Sequence, residues 1–180
     1  VLFRANYESI IFKFMKLNLG CGNKKKDGFI GVDKFPCDAV DVISDLSERL
    51  PFENNSVEEV YMDNVIEHIF DIPSLLSEIS RVCSKGAKVT IYTPHFASHA
   101  SWRDPTHVHH LSYFSMDHLE KESVSHYMAG GFRVIERRLS FGGIMGNVGK
   151  LFFRISPRSY ESNWCFIFRP STLKFVLQKT

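Results

Sequence analysis

The stretch MKLNLGCGNKKKDGFIGVD, residues 15–33, decides the fold. Residues 15–19 and 29–33 are short apolar runs bounded by glycine or charge, the pattern of buried strands. Between them, Gly20-Cys21-Gly22 puts two glycines at the carboxyl end of the first strand. Open α/β sheets bind ligands there, and glycine lets the backbone approach closely. The dinucleotide pattern G-x-G-x-x-G is not completed, because position 25 is Lys25. Only residues 23–28 separate Gly22 from the second strand, whereas a crossover with its helix takes at least about ten to twelve residues. A pyrophosphate would lack its helix N-terminus. A nucleoside ligand without phosphates would not miss it.

Outward from this stretch, acidic residues recur at strand ends. Asp33 closes the second strand, where a carboxylate can accept from both ribose hydroxyls. Residues 39–43 and 57–62 read as the next strands, followed by Asp45 and Asp63, and Asp45 is placed to accept from an exocyclic adenine amine. Between those strands lie Leu50-Pro51-Phe52 and the turn-rich residues 53–56. Ile72, Leu75, Leu76, Ile79, Val82 and Cys83 share one helical face, with Asp71 as N-cap and Gly86 past the end. Residues 87–93 form a strand stopped by Pro94, so strand, helix and strand make a right-handed βαβ unit within a parallel sheet. Residues 94–114 have no period, and a connection of that length is more often functional than structural. A helix over 116–128 capped by Ser115, a strand over 132–140 and a last strand over 172–178 complete the reading. Residues 141–171 receive no assignment.

The 180 residues carry 22 basic and 20 acidic side chains, and 44% are hydrophobic. A chain of this size buries roughly 70% of its unfolded surface and needs no disulfide or metal staple. Disordered, collagen-like and disulfide-knot classes are excluded. Runs such as Cys165-Phe166-Ile167-Phe168 fall far short of the roughly 18 to 20 apolar residues of a membrane span. Cys21, Cys37, Cys83 and Cys165 form no C-x-x-C pair, so a reducing cytoplasm is expected. Charge is unevenly spread: residues 1–131 carry 13 basic and 18 acidic side chains, and residues 132–180 carry 9 and 2. The basic segment interleaves aromatic residues, which either close the core with arginines snorkelling outward or face a membrane or polyanion.

LNLGCGN (17–23), GVD (31–33), SDLSERLPFENNSVEEVYMDNVIEHI (44–69), LLSEISRVCSKGAKVTIYTP (75–94) and DPTHVHHLSYFS (104–115) resemble class I S-adenosylmethionine-dependent methyltransferases. The resemblance runs from about residue 15 to 140. It is closest to the small bacterial and archaeal type 11-like group with a shortened first crossover. It implies a Rossmann-like α/β fold with a mostly parallel sheet, helices on both faces, and the first crossover helix shortened or missing. It implies S-adenosyl-L-methionine as cofactor: Leu19, Gly20, Cys21 and Gly22 around its methionine part, Asp33 and Lys34 at the ribose, Asp45 and Leu46 at the adenine. Asn64, Val65 and His68 would line its other side. Ser84-Lys85-Gly86-Ala87 departs from the Pro-Gly-Gly turn of many relatives. A single domain over 15–180 is expected, with 94–115 and 141–171 as substrate-side loops or lid and 1–14 as an extension.

Methyl transfer from a sulfonium is an in-line displacement whose leaving thioether needs no acid. A base is needed only for the acceptor, and a histidine suits a hydroxyl. His95, His99, His107, His109 and His110 lie within sixteen residues, beside Asp104. His107 is the first candidate, in the DPTH segment that recurs in the family. His110 and His95 follow, with Asp104 beside them. His118 and His126 read as helix-surface residues. The same cluster has donors for zinc, iron or nickel, but its spacing matches no strong zinc motif, and no metal is assigned.

The function expected is O-methylation of a small-molecule or glycan acceptor. A tRNA methyltransferase is the alternative, disfavoured because the strand end reads Asp63-Asn64-Val65-Ile66 without an amino-methylase signature. A non-catalytic cofactor-binding domain is another. Peripheral membrane or polyanion contact through 132–180 and a homodimer are the remaining partner expectations.

Overall fold

The computed structural model describes residues 15–119 and 131–180. Seven strands form one sheet: β1 (Met15–Leu19), β2 (Ile30–Asp33), β3 (Val42–Ile43), β4 (Val57–Asp63), β5 (Cys83–Pro94), β6 (Phe132–Phe141) and β7 (Pro170–Lys179), ordered β3-β2-β1-β4-β5-β7-β6. The pairs among β1 to β5 are parallel, while β7 runs antiparallel to both β5 and β6. The carboxyl ends of five strands therefore share one edge. The chain reverses its strand order between β1 and β4, where such sheets form their ligand crevice. No helix lies between β1 and β2, as the short crossover requires. Buried Asn18 holds this connection, its Oδ1 accepting from the Lys26 N–H at 2.8 Å.

Helix α1 (Ile72–Val82) links β4 to β5. Asp71 caps it, accepting from Ser74 N at 2.9 Å, and Pro73 sits in its first turn. Its buried stripe of Ile72, Leu75, Leu76, Ile79 and Val82 joins Leu17, Leu19, Val60, Met62, Val89 and Ile91 in the core. Each such side chain contributes roughly 1.5–3 kcal/mol on burial. β3 is shorter than its apolar run, because residues 37–40 form a turn closed by the Val40 N–H to the Cys37 carbonyl, and the Asp41 carboxylate binds Lys25 and the Gly31 N–H. β5 starts at Cys83, with a register shift where Ser84 to Ala87 face β4 and Gly86 at φ +84°.

Residues 94–115 are less irregular than their sequence, containing the one-turn α2 (His99–Arg103). The described part of the expected 116–128 helix is a 3-10 turn, Ser115–Leu119, and its remainder, with His126, lies outside the described residues. The unassigned 141–171 segment holds α3 (Gly143–Ile155) and α4 (Pro157–Asn163). Most of its aromatic residues close the core edge: Phe152 stacks on Trp164 at 4.7 Å, and Phe153 meets Tyr113 at 4.9 Å. Among the described residues no helix is long and apolar enough to cross a membrane.

Candidate active site

At the end of β1 the chain turns through two left-handed glycines, Gly20 at φ +63° and Gly22 at φ +51°. A side chain at Gly20 would stand 2.5 Å from Val65 Cγ2. The loop after β1 thus lies directly on the loop after β4, a closeness only glycine permits. Asp33 connects this loop to β2: Oδ2 accepts from Gly22 N at 2.9 Å and Oδ1 from Phe35 N at 3.1 Å. Each oxygen keeps a lone pair. Buried Cys21 lies beneath the loop, and Cys37 donates to the Gly22 carbonyl at 2.8 Å.

After β3, the Asp45 Oδ1 accepts from both the N–H and the hydroxyl of Ser47, which hold its carboxyl below the usual range and leave Oδ2 open to solvent. Lys34 is exposed nearby, and Leu46 is buried under the turn. After β4, Asn64 turns the chain at φ +54°, a left-handed conformation that asparagine tolerates better than most residues. Val65 and Ile66 turn inward. Gly20, Cys21 and Asn64 line a cleft of about 420 Å³, together with Asn18, Lys24, Lys25, Lys26, Tyr61 and Asp63. Burial and Asp63 push the Tyr61 hydroxyl up to about 12, so it stays protonated and donates to Asp63.

The structure divides the histidine cluster. His95 is fully buried and has no nitrogen to spare: Nε2 pairs with Glu161 at 2.8 Å, and Nδ1 accepts from Ala97 N. His95 therefore holds the 94–98 turn to α4 and is not available as a base. His109 donates to the Phe70 carbonyl, and His99 and His118 are exposed. His110 stacks on Trp102 at 3.7 Å and meets the Ser101 hydroxyl at 2.8 Å. Asp104 accepts from the N–H and hydroxyl of Thr106 and so shapes the DPTH turn. His107 reaches the 3-10 turn after β4 with its ring. Its ring lies 4.6 Å from that of His68, edge to face. The Val108 and His109 N–H groups donate to the Glu67 carbonyl, fastening the DPTH segment to the 3-10 turn Ile66–His68.

Comparison with known proteins follows the same strand ends. A family model described as a methyltransferase domain matches residues 23–91, from the short crossover through Asp33, Asp45 and Asn64 into β5. That segment matches the methyltransferase domain, and the chain as a whole has the Rossmann-like fold of S-adenosylmethionine-dependent methyltransferases. Its fold is shared with a SAM-dependent methyltransferase from Archaeoglobus fulgidus, at 19% identity and TM-score 0.62 over 93% of this chain and 88% of that one. A SAM-dependent methyltransferase from Mesorhizobium loti is similar, at 14% identity and TM-score 0.57 over 92% and 90%. Among proteins with curated descriptions, none matches in sequence.

The residues present fit the methyltransferase cofactor. A methionine chain needs a backbone it can lie against, and the Gly20 and Gly22 loop has no side chain in the way. A ribose needs an acceptor with spare lone pairs, which the prepositioned Asp33 provides. Sequence reasoning missed Asn18, Tyr61 and the Lys24–Lys26 run as cleft residues. Strand alternation alone does not mark Asn18, and the lysines read as a solvated loop until the missing crossover helix brings them over β1. Glu67 is buried, and burial pushes its carboxyl up against the opposing pull of its own N–H and the Thr93 hydroxyl.

Proposed function

We propose that this chain is an S-adenosylmethionine-dependent methyltransferase that acts on a hydroxyl oxygen of a small-molecule or glycan acceptor, with His107 facing that hydroxyl. When bound, S-adenosylmethionine supplies an electrophilic methyl group on a sulfonium. Alignment and exclusion of water supply most of the acceleration, so the chain's task at the acceptor is to orient the oxygen and receive its proton. The observation that carries this reading is the position of His107 beside His68, in the 3-10 turn after β4. Its Nδ1 donates to the Ser101 carbonyl at 2.9 Å. That bond fixes the tautomer and leaves Nε2 as the basic nitrogen. His110 and exposed Trp102 lie in the same segment and support an acceptor with a flat or hydroxylated face.

The test is transfer from methyl-labelled S-adenosylmethionine to sugar nucleotides and lipid-linked glycans. Label held as an alkali-stable methyl ether, with turnover falling roughly 10²- to 10⁴-fold in His107→Ala, is expected. Label confined to nitrogen or to nucleic acid contradicts the reading.

We further propose that the outward face of α3 rests on an anionic lipid surface. Ile144, Met145, Leu151 and Ile155 are exposed on it, with Lys150 and Arg154 alongside and no acidic residue in the helix. Apolar side chains flanked by cations are the composition of an interfacial helix.

A further inference from the structure

We propose that Glu67, His68 and His107 form a binding site for one divalent transition-metal ion, of the zinc, manganese or cobalt kind. One ligand atom from each lies within 4.8 Å of the other two. Two imidazoles and a carboxylate suit these ions better than magnesium or calcium, and three protein donors leave positions open for an oxygen from substrate or water.

The independent observation is the state of Glu67. This residue is 1% exposed. Its Oε2 accepts from the Thr93 hydroxyl at 3.0 Å, whereas Oε1 is buried with no hydrogen-bond partner among the described residues. Leaving a buried carboxylate oxygen unpaired is costly, and native proteins rarely do so without an ion or water to satisfy it. A cation beside Oε1 supplies both the missing partner and the missing charge.

The histidines are prepared for the same ion. The Thr106 hydroxyl donates to Asp104 Oδ1 at 2.7 Å, so at 3.0 Å from His68 Nδ1 its oxygen is an acceptor and the ring is the donor. His107 Nδ1 likewise donates to a carbonyl, Ser101 O, at 2.9 Å. Both rings thus keep Nε2 free to ligate, with the outer N–H fixed by an oxygen, as metal-ligating histidines require. Asp104 and Thr106 become positioning residues for His68. The backbone bonds from Val108 and His109 to Glu67 O hold the two sides of the site together.

The role of the ion rests on the O-methylation reading above, with one change: His107 Nε2 binds the ion and no longer serves as the base, and an acceptor hydroxyl placed against the ion is oriented and releases its proton to solvent water more readily. Ion binding itself does not depend on that reading.

Chelator-stripped protein titrated with cobalt chloride should bind one ion per chain and develop a visible ligand-field absorption. Glu67→Gln and His107→Asn should each weaken binding tenfold or more while S-adenosylhomocysteine affinity, and hence the fold, is retained. Absence of stoichiometric cobalt binding, or binding that survives both substitutions, overturns the site. Methyl ether formation without cobalt binding removes the ion and keeps O-methylation. Bound cobalt with product methylated only at nitrogen keeps the ion and removes O-methylation.

Discussion

Gly20 and Gly22 look equivalent in sequence but differ in what surrounds them. A Cβ at Gly20 meets Val65 at 2.5 Å in a left-handed backbone, whereas one at Gly22 meets nothing within 4 Å among the described residues. Gly20→Ala should therefore destabilise the protein by about 2–3 kcal/mol and abolish cofactor binding, because strain and clash add. Gly22→Ala should cost only the backbone strain, about 1 kcal/mol. Thermal unfolding alongside S-adenosylhomocysteine titration separates the two, and equal effects would contradict the packing argument. At this scale the candidate cofactor residues were legible because their chemistry sits at strand ends: Asp33, Asp45 and Asn64 all follow short apolar runs. The histidines were legible only as a group. Which of them turns inward depends on Glu161, a residue of α4 that binds His95 from sixty-six positions away, and no local pattern encodes that partner.

Among the elements, α1 was readable from the sequence because its cap, its apolar stripe and its stop agree. α3 was not. Its glycines depress helix propensity, and the helix exists because they let it approach its neighbours: a Cβ at Gly149 would lie 2.7 Å from Phe168 O, and one at Gly146 would touch Phe141. Gly149→Leu should undock α3, lowering the unfolding midpoint by several degrees, a loss visible by calorimetry and absent for Asn147→Ala on the outer face. α1 also clamps the Leu50-Pro51-Phe52 segment. Glu78 accepts from Leu50 N at 2.8 Å, while Arg81 reaches the Leu50 and Phe52 carbonyls and pairs with Glu78. The Arg81 bond, outweighing burial, holds the Glu78 carboxyl below its usual range. A carboxylate with a depressed folded pKa stabilises above its unfolded pKa, and the contribution fades as pH falls through the folded value. Glu78→Gln should then destabilise by about 1–2 kcal/mol at neutral pH and by much less near pH 3. Urea unfolding at both pH values checks this, and an undiminished difference in acid would rule out the ionic clamp.

Across the whole molecule, the cofactor strand ends lie in the acidic part of the chain, while residues 132–180 carry 9 basic and 2 acidic side chains. With Ile144, Leu151 and Ile155 exposed on α3, this asymmetry predicts co-sedimentation with phosphatidylserine vesicles at low salt. Binding should weaken as salt screens the charges and be lost in Leu151→Glu. No pelleting at low salt would exclude the lipid surface. The sheet order itself was only half legible, since parallel strands β1 to β5 follow from short crossovers and one clear βαβ unit. The insertion of β7 between β5 and β6 depends on non-local pairing that no local period reports. Methyl transfer to any acceptor requires a cofactor held at the β1 and β2 ends. The most direct measurement is calorimetric titration of S-adenosylhomocysteine into the wild-type chain and Asp33→Ala. Micromolar binding by the wild type, weakened by about two orders of magnitude without the carboxylate, is the predicted result. Absence of binding to the wild type, or equal affinity in the variant, would contradict the account.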